Sequence, residues 1–441
     1  MLVVACAAAP LRAQPLAFGS ADDLFERGSG RVEDERGTAS VFGGAAYLPD
    51  TWRGALRGEV DAERGRVSAS VSATLHPAAG GLYGPEADDL YDLLRAVDYV
   101  RLNSTPRSQV YARLGPTEAV TLGVGALARG YRTTTAWDER TLGAEAAVAL
   151  GHVTAAAFAD DVRLSGVIGG EVEVRTPVSV GPLGGVRLAL GAVHDLGRPS
   201  RGSRRLTGIE ATLRADLSGG RLAPDAPFGV APFATVAHYV GRGGTLGVGA
   251  DLAAFRFSRE LRATARAAVF VSTARFVPGH VNPFYAVSNA DERIVSGLTP
   301  GEATLDGLVG TPLDSLSGGI DVVLDVRFLA FGRFEASQHI RRHIGDDRMS
   351  AYGLRLAARL PRRARAELAV ERQGFRGLFG FLKGLGDENT LVLDVAAPVG
   401  RGAQAFVRSR YGYRRLDGDG PGRFLAERRF EPLVGVRVGL R

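Results

Sequence analysis

His339 and His343, with Asp346 and Asp347 just beyond, are the one constellation in this chain with metal-ligand spacing. On a helix, residues four apart would bring both imidazoles to one ion. Here the flanking residues alternate apolar and polar, so the pair belongs to a strand end and its loop. There the two rings share a face but stand about 13 Å apart. His194–Asp195 could serve a serine as an acid–base pair, yet neighbours in a strand point to opposite faces. There is no Gly-x-Ser-x-Gly elbow, no His-Glu-x-x-His and no glycine-rich phosphate loop carrying lysine. Lys383 is the sole lysine and Cys6 the sole cysteine, which leaves no disulfide and no thiol chemistry in the body of the chain. No catalytic residue, metal or cofactor is expected.

The remaining charges follow a rule of two. Arg187, Glu210, Arg214, Arg262, Arg266, Asp321, Asp325, Arg327, Arg355, Arg359, Arg365, Glu367, Asp394, Arg408 and Arg410 occupy alternate positions of stretches whose other positions are apolar. Ile209, Ala211, Leu213 and Ala215 oppose Glu210, Thr212, Arg214 and Asp216; Ile320, Val322, Leu324 and Val326 oppose Asp321, Asp325 and Arg327. A strand places such sets on two faces, one apolar and one charged. About twenty of these stretches occur, each roughly 8 to 16 residues long, where soluble strands run about 5–6 and bilayer-crossing strands need about 9–11.

Bulk properties narrow the class. The 441 residues are 45% hydrophobic and 23% charged, and no run of 18 apolar residues exists to form a spanning helix. Many of the 59 glycines sit inside alternating stretches, as in Leu122–Gly123–Val124–Gly125 and Leu246–Gly247–Val248–Gly249, which suits bent barrel strands. The net charge of +6 comes from arginines interleaved with Asp and Glu, with no basic block, so nucleic acid is not an expected partner. Residues 1–13 read as the tail of a signal peptide, with Ala13 at the cleavage edge. Val3–Val4–Ala5–Cys6 also resembles a lipoprotein box, which would make Cys6 an acylation site. Residues 14–36 form a polar periplasmic arm, and 37–441 the main body.

Gap lengths sort by side. Short gaps such as Glu63–Arg64, Pro116–Glu118, Gly151, Ser258–Arg259 and Pro361–Arg363 alternate with longer ones at 77–106, 132–139, 196–204, 276–314 and 376–388. The expected fold is therefore all-β: a transmembrane antiparallel up-and-down β-barrel of about 18–20 strands, or 16 if the first hairpin lies outside it. Short turns are periplasmic, long loops extracellular and both termini periplasmic. Within 77–106, Leu90, Leu93, Leu94 and Val97 recur at helical spacing. The stretch 119–131 reads as a barrel strand. Loop 276–314 is either folded inward as a constriction or exposed. Tyr47, Trp52, Tyr131, Phe276, Tyr411 and Tyr413 fit interface girdles.

With the apolar face toward lipid, the charged set lines the lumen. The reverse would cost roughly 2–4 kcal/mol for each basic residue near mid-bilayer. Arg262 with Arg266, Arg355 with Arg359 and Arg408 with Arg410 form rows that favour anions, opposed by Asp321, Asp325 and Glu367.

From 37 to 441 the pattern resembles bacterial outer-membrane β-barrels of the broad porin-like class. The resemblance implies an outer-membrane location, contact with outer-membrane lipid and passive diffusion of small hydrophilic, weakly anion-favouring solutes. The alternatives are a non-conducting anchor or receptor whose loops bind an envelope protein, and a barrel-embedded hydrolase.

Overall fold

The computed structural model describes residues 37–439 apart from 49–50, 79–80, 84–91, 103–109, 118–119, 136–140, 177–184, 197–205, 218–228, 257–260, 274–275, 283, 286–318, 331–333, 345–349, 360–363, 375–388, 401 and 417–422. The expected leader, with Cys6, and the arm at 14–36 lie outside the described residues.

The chain is built almost wholly of strands. The first nine are β1 Gly37–Leu48, β2 Thr51–Arg64, β3 Val67–Leu75, β4 Pro77–Ala78, β5 Gly81–Leu82, β6 Val97–Leu102, β7 Val110–Gly115, β8 Gly143–Leu150 and β9 Val153–Ala159. Then come β10 Val167–Arg175, β11 Gly185–Asp195, β12 Leu206–Asp216, β13 Gly229–Tyr239, β14 Gly243–Arg256, β15 Leu261–Ser272 and β16 Gly319–Ala330. The last are β17 Phe334–Ile344, β18 Ala351–Arg359, β19 Arg365–Gln373, β20 Asn389–Pro398, β21 Ala403–Leu416 and β22 Arg423–Gly439. Among the described residues one single-turn helix, α1 Asp92–Arg95, precedes β6.

All strands but β4 and β5 form one 20-stranded sheet of antiparallel neighbours, closed by β1 pairing with β22. Closure removes the free edges that an open sheet would leave unpaired. Across this seam Val41 opposes Val436 and Ala39 opposes Val438.

The expected strand number, about 18–20 or 16, is corrected to 20. The 16-strand form required the first hairpin to lie outside the wall, yet β1 and β2 pair along their whole lengths and β1 closes the barrel. The expected strand at 119–131 is also overturned. Its described part is an irregular segment with two isolated bridges, Val120 to Tyr131 and Ala128 to Val281. The wall position it was to fill belongs to β6, in a segment read as loop and helix. Of the expected helix, Leu93 and Leu94 lie in α1, Leu90 lies outside the described residues, and Val97 begins β6.

Alternation decides the two faces. Val41, Leu56, Val60, Val71, Val172, Leu188, Leu190, Ile209, Leu213, Val236, Leu246, Val248, Val269, Ile320, Val322, Leu324 and Val436 are all exposed on the outside. They touch across register, as Val60 does Val71 and Val269 does Val322. An apolar surface running over so many neighbouring strands far exceeds the patches of soluble proteins and is a lipid-facing surface. At one end of the seam Trp52 sits between Tyr47 and Phe430, with ring centroids 5.5 Å and 6.5 Å away. Tyr131, Phe276, Tyr411 and Tyr413, expected in such a girdle, are instead buried, the first two in the core inside the barrel.

Connections at the end carrying 65–66, 151–152 and 331–333 are mostly short. The longest, 76–96, 116–142 and 273–318, all emerge at the other end. The gap at 116–118, expected as a short turn, is the start of one of these long connections.

Candidate functional site

The inside of the barrel is filled by its own chain. Residues 120–131 turn into the lumen from the end of β7, and 276–285 follow from the end of β15. The two segments lie side by side: Arg129 N donates to Val281 O at 2.9 Å and Gly279 N to Ala126 O at 2.8 Å. Val120, Leu122, Val124, Leu127 and Tyr131 pack with Phe276, Val277 and Val281 against Phe158, Val193, Phe233, Tyr239 and Phe270 of the wall. This is a hydrophobic core inside a barrel whose wall is otherwise lined with charge.

Two wall carboxylates hold the inward loop in place. Glu210 on β12 accepts the amides of Val124 at 3.1 Å and Leu127 at 3.2 Å. Glu171 on β10 accepts the amide of Gly123. Successive amides converging on an anion need a left-handed turn, and Gly123 has φ +55 and Gly125 φ +83. A Cβ on Gly123 would also collide with the Glu210 carboxylate, and one on Gly125 with the Arg129 guanidinium. Tyrosine hydroxyls complete the anchoring. Tyr131 donates to Asp160 at 2.5 Å, Tyr239 to Leu127 O at 2.9 Å and Tyr285 to Asp195 at 2.8 Å. His280 is buried edge-on to the Tyr285 ring, centroids 5.2 Å apart, and burial pushes its pKa down to about 3, helped by Arg242 and Arg341.

From this anchored segment two arginines cross to the far wall. Arg129 reaches Asp325 on β16 at 3.1 Å and His339 on β17 at 3.3 Å. Arg132 reaches Glu371 on β19 at 3.2 Å and Thr390 on β20 at 2.6 Å. The loop therefore runs from β7 past β10 and β12 to β16, β17, β19 and β20.

The opposite flank closes by another route. Glu59 on β2 pairs with Arg365 on β19 at 3.8 Å, although β20, β21, β22 and β1 stand between them in the sheet. Arg57 lies over the Phe406 ring, and Tyr83 is covered by Arg53 and Arg429. His76 beside Tyr83 pairs with Glu431 at 3.7 Å.

The sector between these two fillings is less tightly covered. Side-chain exposure is 34% at Asp325, 25% at His339, 24% at Glu371 and 21% at Arg355, against 4% at Glu59 and Arg187. Nearer the loop end of β16 and β17 the space closes again. There Arg341 donates to the carbonyl of Pro278 and pairs with buried Asp321 at 3.7 Å, and His343 pairs with Asp321 at 3.3 Å. Among the described ion pairs of the wall, the more exposed charges thus run from β14 to β20.

Several of the sequence-derived lumen residues make ion pairs across the wall. Arg187 pairs with Asp216 at 2.6 Å; Arg214 and Arg266 share Asp251 at 3.2 Å and 2.5 Å. Arg355 pairs with Glu367 at 3.1 Å. Arg408 and Arg410 share Asp394 at 3.2 Å and 3.7 Å, and Arg408 also meets Glu431. The side chains of Arg262, Arg327 and Arg359 lie outside the described ones, while register places their backbones opposite Leu329, Ser337 and Arg365. His339 and His343 each face a separate carboxylate.

Sequence reasoning missed Arg129, Arg132, Glu371 and Asp251. One signal pointed to the loop: in 119–129 the would-be lumen positions are Thr121, Gly123, Gly125 and Leu127, with no charge until Arg129. Every true strand nearby carries charge or hydroxyls on that face.

No family model matches the chain, and no curated protein does. Among solved structures it is similar to Wzi, an Escherichia coli outer-membrane protein involved in group 1 capsule assembly and a carbohydrate-binding β-barrel. The likeness has 10% identity and a TM-score of 0.34, over 92% of this chain and 85% of Wzi. Pseudomonas aeruginosa OpdL matches at 11% identity and a TM-score of 0.32, over 93% of this chain and 100% of its own. OccK2 of the same organism, solved with glucuronate, matches at 11% identity and 0.31, over 94% and 100%. At such scores the functional reading rests on this chain's own residues.

Proposed function

We propose that the chain is a bacterial outer-membrane channel for passive diffusion of small hydrophilic solutes, conducting through a narrow passage rather than the whole lumen. The observation that carries this reading is that, among the described ion pairs of the wall, the more exposed charges gather in the sector facing Arg129 and Arg132. Around it stand Arg129, Arg132, Arg266, Arg355, Arg365 and Arg410 against Asp251, Asp325, Glu367, Glu371 and Asp394. Six guanidiniums against five carboxylates support weak anion preference without exclusion of cations.

The filled flanks favour a second reading, a non-conducting anchor or receptor that presents its long loops to an envelope partner. Liposome swelling separates the two. Full-length protein in proteoliposomes should admit small sugars and amino acids at rates that fall steeply with solute size. Correctly inserted barrels that admit neither would overturn the channel and support the anchor.

A further inference from the structure

One row of wall residues crosses five strands at a single level. Register aligns Asp325 with His339, His339 with Gly353, Gly353 with Glu371, and Glu371 with Thr390. Arg129 contacts the first two members and Arg132 the last two. The middle of the row is a glycine. A Cβ there would meet only the Glu371 Cγ and the His339 Cβ, each at 3.8 Å, and nothing of the inward loop. The loop therefore touches the wall through two guanidinium feet, and between them the wall presents bare backbone at Gly353.

We infer that Gly353 is the floor of the narrowest part of the passage and the residue that sets its size limit. This rests on the channel reading above. A solute crossing there is flanked by the carboxylates of Asp325 and Glu371 on the wall and by Arg129 and Arg132 on the loop. His339 and Glu371 stand on strands two apart, hence about 10 Å between backbones. Once their side chains are subtracted, the opening suits a hydrophilic solute of single-ring size carrying groups that can replace either sign of the rim charges. The side-chain exposures of Asp325, His339 and Glu371, 34%, 25% and 24%, leave polar surface for such a solute to meet. Any side chain at 353 projects into the opening, whereas neighbouring Leu354 belongs to the outward set of β18.

The test compares full-length wild type, Gly353→Trp and Leu354→Trp in planar bilayers, after heat-modifiable migration shows each barrel folded. Gly353→Trp should lower single-channel conductance roughly threefold or more, and Leu354→Trp should leave it unchanged. Wild-type conductance retained in folded Gly353→Trp overturns the inference while leaving the channel intact; a silent wild type overturns the channel reading instead. A second measurement does not need conduction. Gly353→Cys in a Cys6→Ser background should react with small water-soluble methanethiosulfonates and be protected from bulky ones. Failure to react with any of them would put residue 353 outside a wet passage and sink the inference.

Discussion

Glu210 and Val124, 86 residues apart in sequence, are joined by a 3.1 Å hydrogen bond from the Val124 amide to a wall carboxylate inside the barrel. The same carboxylate takes the Leu127 amide, so one side chain fixes the turn from which Arg129 and Arg132 are projected. Glu210→Ala strands both amides, at about 1–3 kcal/mol for each buried donor left unpaired. The barrel should still insert, but protease should cleave within 116–142 much faster than in wild type. Unaltered cleavage would mean the apolar packing alone holds the loop.

Gly123 makes that turn possible, and its replacement is a cleaner probe. Gly123→Ala places a side chain in the left-handed region, at about 1–2 kcal/mol, and drives it into Glu210. Gly58→Ala, with nothing within 4 Å of the added carbon, is the matched control. Channel noise and subconductance states should rise in the first and not in the second.

Selectivity follows from which charges the inward loop contributes. Arg129→Gln with Arg132→Gln changes six guanidiniums to four and takes from Asp325 and Glu371 their arginine partners on the loop. The reversal potential in a salt gradient should move toward cations. The Arg355→Gln change should move it less, because its partner Glu367 lies outside the row that the loop touches. An unshifted potential in the double variant would show that ions pass elsewhere.

Acid should loosen the loop. His280 in place has a pKa of about 3, against about 6.5 for a free imidazole. Between these values the undocked loop binds more protons, so docking weakens as pH falls through 6.5 and the loss is complete near 3. Protonated His280 would be a cation buried among Tyr239, Tyr285, Arg242 and Arg341. Open probability should rise on acidification in wild type, and His280→Gln should flatten that rise. Equal pH dependence in both would place the titration at other groups.

The wall was legible in the sequence because lipid imposes a period of two on every strand, and that period survives without knowledge of neighbours. The filling was not. Leu122–Gly123–Val124–Gly125 and Leu246–Gly247–Val248–Gly249 share one pattern, yet the second lies in β14, where Gly247 makes room for the Phe270 ring. The first is a turn wrapped on two carboxylates. Only the distant residues Glu171, Glu210 and Phe270 distinguish them, and alternation carries no record of which face meets what. β6 escaped for the opposite reason: six residues beside a helical signal, with a register shift at Ser70/Val71, show too little alternation. One missed strand and one false one offset each other, so strand direction stayed correct past residue 143.

Single-channel recording of the full-length protein beside a variant with 120–134 replaced by a short Gly-Ser linker tests the central claim most directly. A 20-stranded wall encloses a wide aqueous channel unless something fills it. The wild type should show small, discrete steps, and the variant steps several-fold larger. Equal conductance in the two, or a silent wild type in folded and inserted barrels, would contradict a passage defined by the inward loop.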